Sequence, residues 1–251
     1  MRTRSKTVHP PEEEETHDRP FPRSPLETTP PREGCRRHGP ACPGRMRAAP
    51  GLQHNHRAAY DGTGGTIKSK KILILNGSPR SKGNTAMLCD AFSAGARSAG
   101  HQVTRFDLHK LDIHGCLGCV KGGKDPASPC VQKDDMGLIY PVYREADLVV
   151  LASPMYYWGF SGQLKTAFDR LFAVAECFPG YANPHKECAL VMAAEGDSAD
   201  NWKPVLDYYH ALLGFLGWKD RGQVLAGGVF EAGAVAGQPV LDQAFRFGAS
   251  L

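Results

Sequence analysis

Hydrophobic positions along the chain switch between two periods from residue 70 onward, while the first 69 residues keep neither. Residues 72–75 form an unbroken apolar run, which reads as a strand buried on both faces. From Asn84 the apolar positions Met87, Leu88, Ala91 and Phe92 recur at helical spacing, predicting a helix over 84–98 that ends near Gly100. The pattern then predicts strands over 102–108, 146–153, 187–194 and 222–230. Between and after them it predicts helices over 134–144, 162–174 and 199–216, and a short terminal helix over 239–247. Strand–helix alternation of this kind implies a parallel α/β sheet covered on both faces, with right-handed crossovers. Ligands of such sheets sit beyond the carboxyl ends of the strands.

Three loops lie at that edge. The first, Asn76-Gly-Ser-Pro-Arg-Ser-Lys-Gly-Asn-Thr85, joins a buried strand to a helix N-terminus and carries hydroxyls, an amide and a guanidinium. First-turn N–H groups lack intrahelical partners and carry the positive end of the helix dipole, so this loop is suited to a phosphate. It lacks the Gly-Lys-Ser/Thr of a nucleotide triphosphate loop and the Gly-x-Gly-x-x-Gly of a dinucleotide loop. A terminal phosphomonoester, as on flavin mononucleotide, fits better, against the alternative of a polar loop that binds nothing. The second loop, Ser153-Pro-Met-Tyr-Tyr-Trp-Gly-Phe-Ser-Gly162, sets aromatic area at the ligand edge, suited to a planar ring or to a subunit partner. The third, Ala194-Glu-Gly-Asp-Ser198, either lines that ring or caps the next helix.

Charge narrows the partners. Residues 1–69 carry 12 Lys/Arg against 8 Asp/Glu, and residues 70–251 carry 18 of each. A neutral folded part argues against nucleic-acid binding, and no apolar run approaches the roughly 20 residues of a membrane span. With no apolar signal core at the start, a cytoplasmic protein without a membrane or nucleic-acid partner is expected. Residues 1–69 also hold ten of the nineteen prolines and four consecutive glutamates. They read as a disordered extension, either a regulatory tail or a stretch upstream of the true start, joined through Gly62–Gly65 to a domain over 70–251.

The motifs Asn76-Gly-Ser-Pro-Arg-Ser-x-Gly-Asn-Thr85, Ser153-Pro-Met-Tyr-x-Trp-Gly-x-x-Ser-Gly-Gln-Leu-Lys165 and Cys130-Val-Gln-Lys-Asp-Asp-Met136 resemble the flavodoxin-fold NAD(P)H-dependent FMN reductases, over about 70–229. Within that group the likeness is to the iron–sulfur-flavoprotein branch. The resemblance implies a flavodoxin-like doubly wound five-stranded sheet of order 2-1-3-4-5. It implies FMN with its phosphate on Ser78, Arg80, Ser81, Asn84 and Thr85. The flavin ring would lie against Pro154, Met155, Tyr156, Trp158 and Gly159, with Gly196 and Asp197 nearby. It further implies a homodimer or tetramer passing electrons from NAD(P)H to a quinone, a flavin or a nitro-compound. No side-chain nucleophile is required, because the cofactor carries the chemistry. The rival reading is a non-catalytic electron-transfer flavoprotein, with or without an iron–sulfur cluster.

The cysteines depart from that branch. Cys116 and Cys119 match the first two positions of its four-cysteine set and Cys130 the last, but Gly122 stands at the third. A [4Fe–4S] cluster takes four thiolates. A cluster with a substitute ligand, zinc on three thiolates plus His114, and a metal-free loop of thiols are the three readings. Cys89, Cys177 and Cys188 occupy apolar positions and are expected to be buried reduced thiols.

Overall fold

The computed structural model describes residues 68–251. The expected disorder of the extension, its Gly62–Gly65 joint, and Cys35 and Cys42 lie outside the described residues. Strands β1 (Lys71–Asn76), β2 (Gln102–Asp107), β3 (Leu148–Pro154), β4 (Glu187–Ala193) and β5 (Lys219–Ala226) form one sheet. All neighbours pair in parallel, in the order β2-β1-β3-β4-β5. This is the expected flavodoxin-like arrangement.

Successive side chains of a strand point to opposite faces, and here both faces are core. Leu73, Leu75, Val149, Leu151, Leu190 and Met192 face one layer, formed by α2 (Met136–Glu145), α3 (Gly162–Arg170), the short α4 (Phe172–Ala175) and α5 (Ala199–Leu216). Ile72, Ile74, Leu148, Val150, Ala189 and Val191 face the other, formed by α1 (Asn84–Ser98) and α6 (Pro239–Ala249). The central strands are therefore continuous apolar runs. On the second layer α1 and α6 approach so closely that a Cβ on Gly95 would fall on the Phe245 carbonyl. Among the described residues no helix is long and apolar enough to cross a membrane.

Several boundaries differ from the sequence reading. β5 begins at Lys219 rather than 222, directly after Gly217 ends α5 in the left-handed conformation (φ 66°). Its charged start, Lys219-Asp220-Arg221, belongs to an exposed edge strand, which masks the strand signal. The predicted 162–174 helix breaks at Leu171 into α3 and α4. α2 starts at Met136 rather than 134, and the two preceding carboxylates also tie the 112–114 segment to it, as described below. α6 runs on to Ala249.

Candidate functional site

The β1–α1 loop is organised by its own polar side chains. Asn76 is buried, donates from Nδ2 to Asp107 Oδ1 (2.9 Å) and accepts at Oδ1 from the Ser78 N–H (3.2 Å). The Ser78 hydroxyl accepts from the Arg80 N–H (3.3 Å) and donates to the Arg80 carbonyl (3.2 Å). Burial raises the Asp107 carboxyl, but hydrogen bonds from Asn76 and Lys110 and the Arg105 guanidinium outweigh it and hold it at about 2. The acid thus stays ionised and anchors the base of the loop. Gly83 precedes α1 in extended conformation, and no side chain caps the helix. A Cβ there would lie 2.9 Å from Arg80 Cβ and 3.2 Å from Ser78 Oγ. The turn therefore forms a cradle only glycine leaves open, lined by uncapped N–H groups, the buried Ser78 and Thr85, and Arg80. That donor set fits a phosphate.

The β3–α3 connection begins with Met155, whose N–H donates to the Ala193 carbonyl (2.9 Å). Tyr156 and Gly159 then exchange backbone hydrogen bonds of 3.1 and 3.0 Å around a two-residue turn. Tyr157 and Trp158 occupy its centre with φ of 46° and 58°. Left-handed backbone costs a non-glycine residue on the order of 1 kcal/mol or more. The turn holds Tyr157 fully out (99 % exposed) and Trp158 largely out. Ser161 clamps this connection to the first loop: its hydroxyl donates to the Gly77 carbonyl (2.8 Å) and accepts from the Leu164 N–H (3.3 Å).

Between the two connections lies a cavity of about 300 Å³. Of the expected site residues, Ser78, Arg80, Asn84, Thr85, Pro154, Met155 and Tyr156 meet around it. Trp158 and Gly196 line a neighbouring hollow of about 250 Å³ that shares Met155, Tyr157, Ala194 and Glu195 with the first. Ser81, Gly159 and Asp197 line neither. Ser81 Oγ lies 3.2 Å from His109 Nε2, Gly159 closes the aromatic turn, and Asp197 accepts from Trp202 Nε1 (3.4 Å). The Asn84 amide is engaged as well, donating to the Glu231 carbonyl (2.9 Å) and accepting from the Val235 N–H (3.2 Å). Asn84 thus fixes the 229–235 segment over the cavity and leaves only its backbone N–H to a ligand. Sequence reasoning placed Glu195 only within the third loop and missed Val229 and Phe230 in the lining. Phe230 was assigned to the fifth strand, and only the early end of β5 releases it into a loop.

The cysteine segment folds away from a ligand set. Among the described residues no three His, Cys, Asp or Glu side chains gather as a metal site would require. Cys116 is exposed, while Cys130 Sγ accepts from the Arg170 guanidinium (3.3 Å). At Gly122 a Cβ would meet the Glu176 carboxylate and lie 2.7 Å from the Pro129 carbonyl, so the fourth cysteine is missing and its space is closed. These residues do not fit a four-thiolate cluster. The organising contact here is an ion pair absent from the sequence reading. Arg170 donates bidentately to Asp134 (2.6 and 3.1 Å) with both side chains buried, and donates further to the His114 carbonyl (2.8 Å). Asp134 and Asp135 also accept from the N–H groups of His114 (3.0 Å) and Asp112 (2.8 Å), tying the segment to α2. Cys89 and Cys188 are buried, and burial pushes both thiols up to about 12. Cys177 is only half-buried, against expectation, because α4 ends at Ala175 two residues before it.

Known proteins resemble this chain. An iron–sulfur flavoprotein of Archaeoglobus fulgidus is 37 % identical over 101 residues, which are 40 % of this chain and 45 % of that protein. An FMN-dependent NADH:quinone oxidoreductase of Paraburkholderia phymatum is 30 % identical over 178 residues, covering 63 % of this chain and 88 % of that one. The chain spans about half the length of the iron–sulfur flavoproteins it matches. Among solved structures, the NAD(P)H:quinone oxidoreductase from Methanothermobacter marburgensis shares the fold, with a TM-score of 0.56 at 20 % identity over 73 % of this chain and 97 % of that one. Residues 70–219 match the family model described as NADPH-dependent FMN reductase. That match takes in the cradle, the aromatic turn and four of the five strands in full, and the chain belongs to the NADPH-dependent FMN reductase family.

Proposed function

We propose that residues 70–251 form an FMN-binding domain and that the protein is an oxidoreductase. It would carry electrons from NAD(P)H to a small acceptor such as a quinone, a flavin or a nitro-compound. The observation that carries this reading is one cavity reaching from a phosphate-fitted cradle to an aromatic turn. Ser78, Thr85 and the first-turn N–H groups of α1 would hold the phosphate, with Arg80 supplying the charge-assisted contact. Asn84 would add its backbone N–H, and Ser81, 3.2 Å from His109 and outside the lining, would have to turn inward to add its hydroxyl. Pro154, Met155 and Tyr156 would carry the ring, with Trp158, Gly159, Gly196 and Asp197 in the shell around its outer end. When bound, FMN supplies the two-electron chemistry. The chain would hold the ring beyond the carboxyl ends of β3 and β4, with Met155 and Phe230 excluding water, and leave the outer face to donor and acceptor. Tyr157 and Trp158 stand exposed beside that face, near which a second copy of the chain would lie in a cytoplasmic homodimer or tetramer.

The test is an anaerobic absorption spectrum of the purified protein, followed by titration with NADH and NADPH and then a naphthoquinone. Oxidised-flavin bands that bleach with the nucleotide and return with the quinone are expected. Flavin bands without nucleotide oxidation would favour the electron carrier, and a colourless protein that takes up no FMN would end the reading. Arg80→Ala with Thr85→Ala removes one charged and one neutral phosphate contact, worth about 2–4 kcal/mol together. FMN retention should then drop at least tenfold.

A further inference from the structure

We infer that His109 is a positioning residue for the cofactor phosphate: it holds the Ser81 hydroxyl outside the cradle and so sets how tightly the phosphate is bound. This rests on the FMN reading above. Ser81 follows Arg80 directly, in the tight turn that the Gly83 N–H closes on the Arg80 carbonyl (3.0 Å). Its Oγ lies 3.2 Å from His109 Nε2 and outside the cavity lining, whereas Ser78 and Thr85 belong to that lining. His109 stands on the short 3₁₀ turn Leu108–Lys110 after β2, which the Leu111 N–H closes on the Leu108 carbonyl (3.2 Å). Leu108 is buried, and Asp107 before the turn is held by Asn76 (2.9 Å) and Lys110 (2.9 Å). The imidazole therefore rests on a base shared with the phosphate loop and keeps its place when Ser81 turns.

The tautomer decides what is exchanged. His109 Nδ1 is buried and has no hydrogen-bond partner among the described residues. A proton there would be an orphaned buried donor, which folded proteins avoid more strictly than an idle acceptor. The neutral ring thus carries its proton on Nε2 and donates it to Ser81 Oγ. Turning Ser81 inward breaks that one exposed contact and gains a charge-assisted one on a phosphate oxygen. From its present place the hydroxyl serves His109, and from an inward one it serves the phosphate. Riboflavin, which has no phosphate, gives Ser81 nothing to turn toward.

The experiment is equilibrium dialysis of the full chain against FMN and, separately, against riboflavin. It compares wild type, His109→Phe and His109→Gln, each with and without Ser81→Ala. Phe keeps a ring and removes the donor, whereas Gln keeps an N–H donor at similar reach. His109→Phe should tighten FMN about two- to tenfold, the range of one net hydrogen bond, with riboflavin unmoved. Ser81→Ala should abolish that gain, and His109→Gln should restore the wild-type ratio of the two affinities. His109→Ala, which also lacks the donor, repeats the measurement where the phenyl ring does not fit. The inference is overturned, and the FMN reading stands, if the donor-less variants gain nothing, gain equally for riboflavin, or keep the gain without Ser81. A gain in His109→Gln as large as in His109→Phe overturns it too. A chain that binds neither flavin, or that binds FMN no better than riboflavin in every form, overturns the phosphate cradle together with the inference.

Discussion

Arg170 offers the sharpest test of how the segment between β2 and α2 is held. Its guanidinium is buried and makes four hydrogen bonds: two to Asp134, one to the His114 carbonyl and one to Cys130 Sγ. Breaking a buried pair by removing one partner costs about 3–5 kcal/mol, because the other charge is left uncompensated. Arg170→Met belongs at the low end, about 3 kcal/mol. Asp134 keeps the N–H groups of His114 (3.0 Å) and Met136 (3.2 Å), and the change also removes Arg170 Nε, a buried donor without a partner. Asp134→Asn belongs at the high end, about 4–5 kcal/mol, since no other described carboxylate pairs with the buried guanidinium. Urea unfolding of the FMN-loaded protein at neutral pH measures both. The double variant should lose at least about 1.5 kcal/mol less than the sum of the two, as contacting residues do. Loss of under about 1 kcal/mol in Arg170→Met, or additivity within about 0.5 kcal/mol, would refute a desolvated pair and return the segment to a solvated loop.

Four further outcomes are expected. Gly95→Ala gains about 1 kcal/mol of helix propensity but drives a methyl into the Phe245 carbonyl, so net destabilisation of about 1–2 kcal/mol is expected. Gly214→Ala, with open space around it, should instead stabilise by up to about 1 kcal/mol in thermal melts. The Asp107 carboxyl, held at about 2 against an ordinary 3.8, contributes stability above about pH 4 that is lost as the pH falls through about 2. Asp107→Asn should therefore cost about 2 kcal/mol at neutral pH and flatten the acid limb of a stability–pH profile; an unchanged limb would assign the acid loss to other carboxylates. Tyr157→Asn, at a fully exposed residue in the left-handed region, should hold or raise the melting temperature while weakening acceptor KM. A lower melting temperature would make Tyr157 a packing residue.

The sheet was legible because both of its faces are core. The run 72–75 and the 146–153 stretch carry little but apolar residues, and a parallel strand buried on both sides admits little else. The cradle was legible for a similar reason, since small and hydroxyl residues between a strand and a helix have few other uses. What stayed hidden depends on contacts between distant segments. Asn84 was read as a phosphate donor from its position, yet its amide binds backbone some 150 residues further on. Asp134 and Asp135 fall inside the predicted 134–144 helix, and no local pattern announces that Arg170 binds the first of them. Phe230 reached the cavity lining only through the register of an edge strand whose charged start hid it.

The two halves of the site differ in how firmly they are built, and one serine accounts for the junction. Ser153 Oγ accepts from the Ser161 N–H (2.8 Å), and Ser161 Oγ donates to the Gly77 carbonyl (2.8 Å), so the aromatic connection is bolted to the first loop through buried groups. A Cβ on Gly77 would strike Ser161 Oγ and lie 2.7 Å from Leu164 Cβ, so the approach depends on glycine. The cradle side is thereby rigid: its carbonyls and N–H groups are tied to β1, β3 and the start of α3. Beyond Ser161 the turn carries Tyr157 and Trp158 with little packing beneath them. A cofactor that must stay bound needs a preorganised anchor, whereas acceptors that come and go need an open edge. On the proposed function, that division would put the affinity of the site in the Gly77–Ser161 clamp, so a substitution there should change FMN affinity with acceptor preference unmoved.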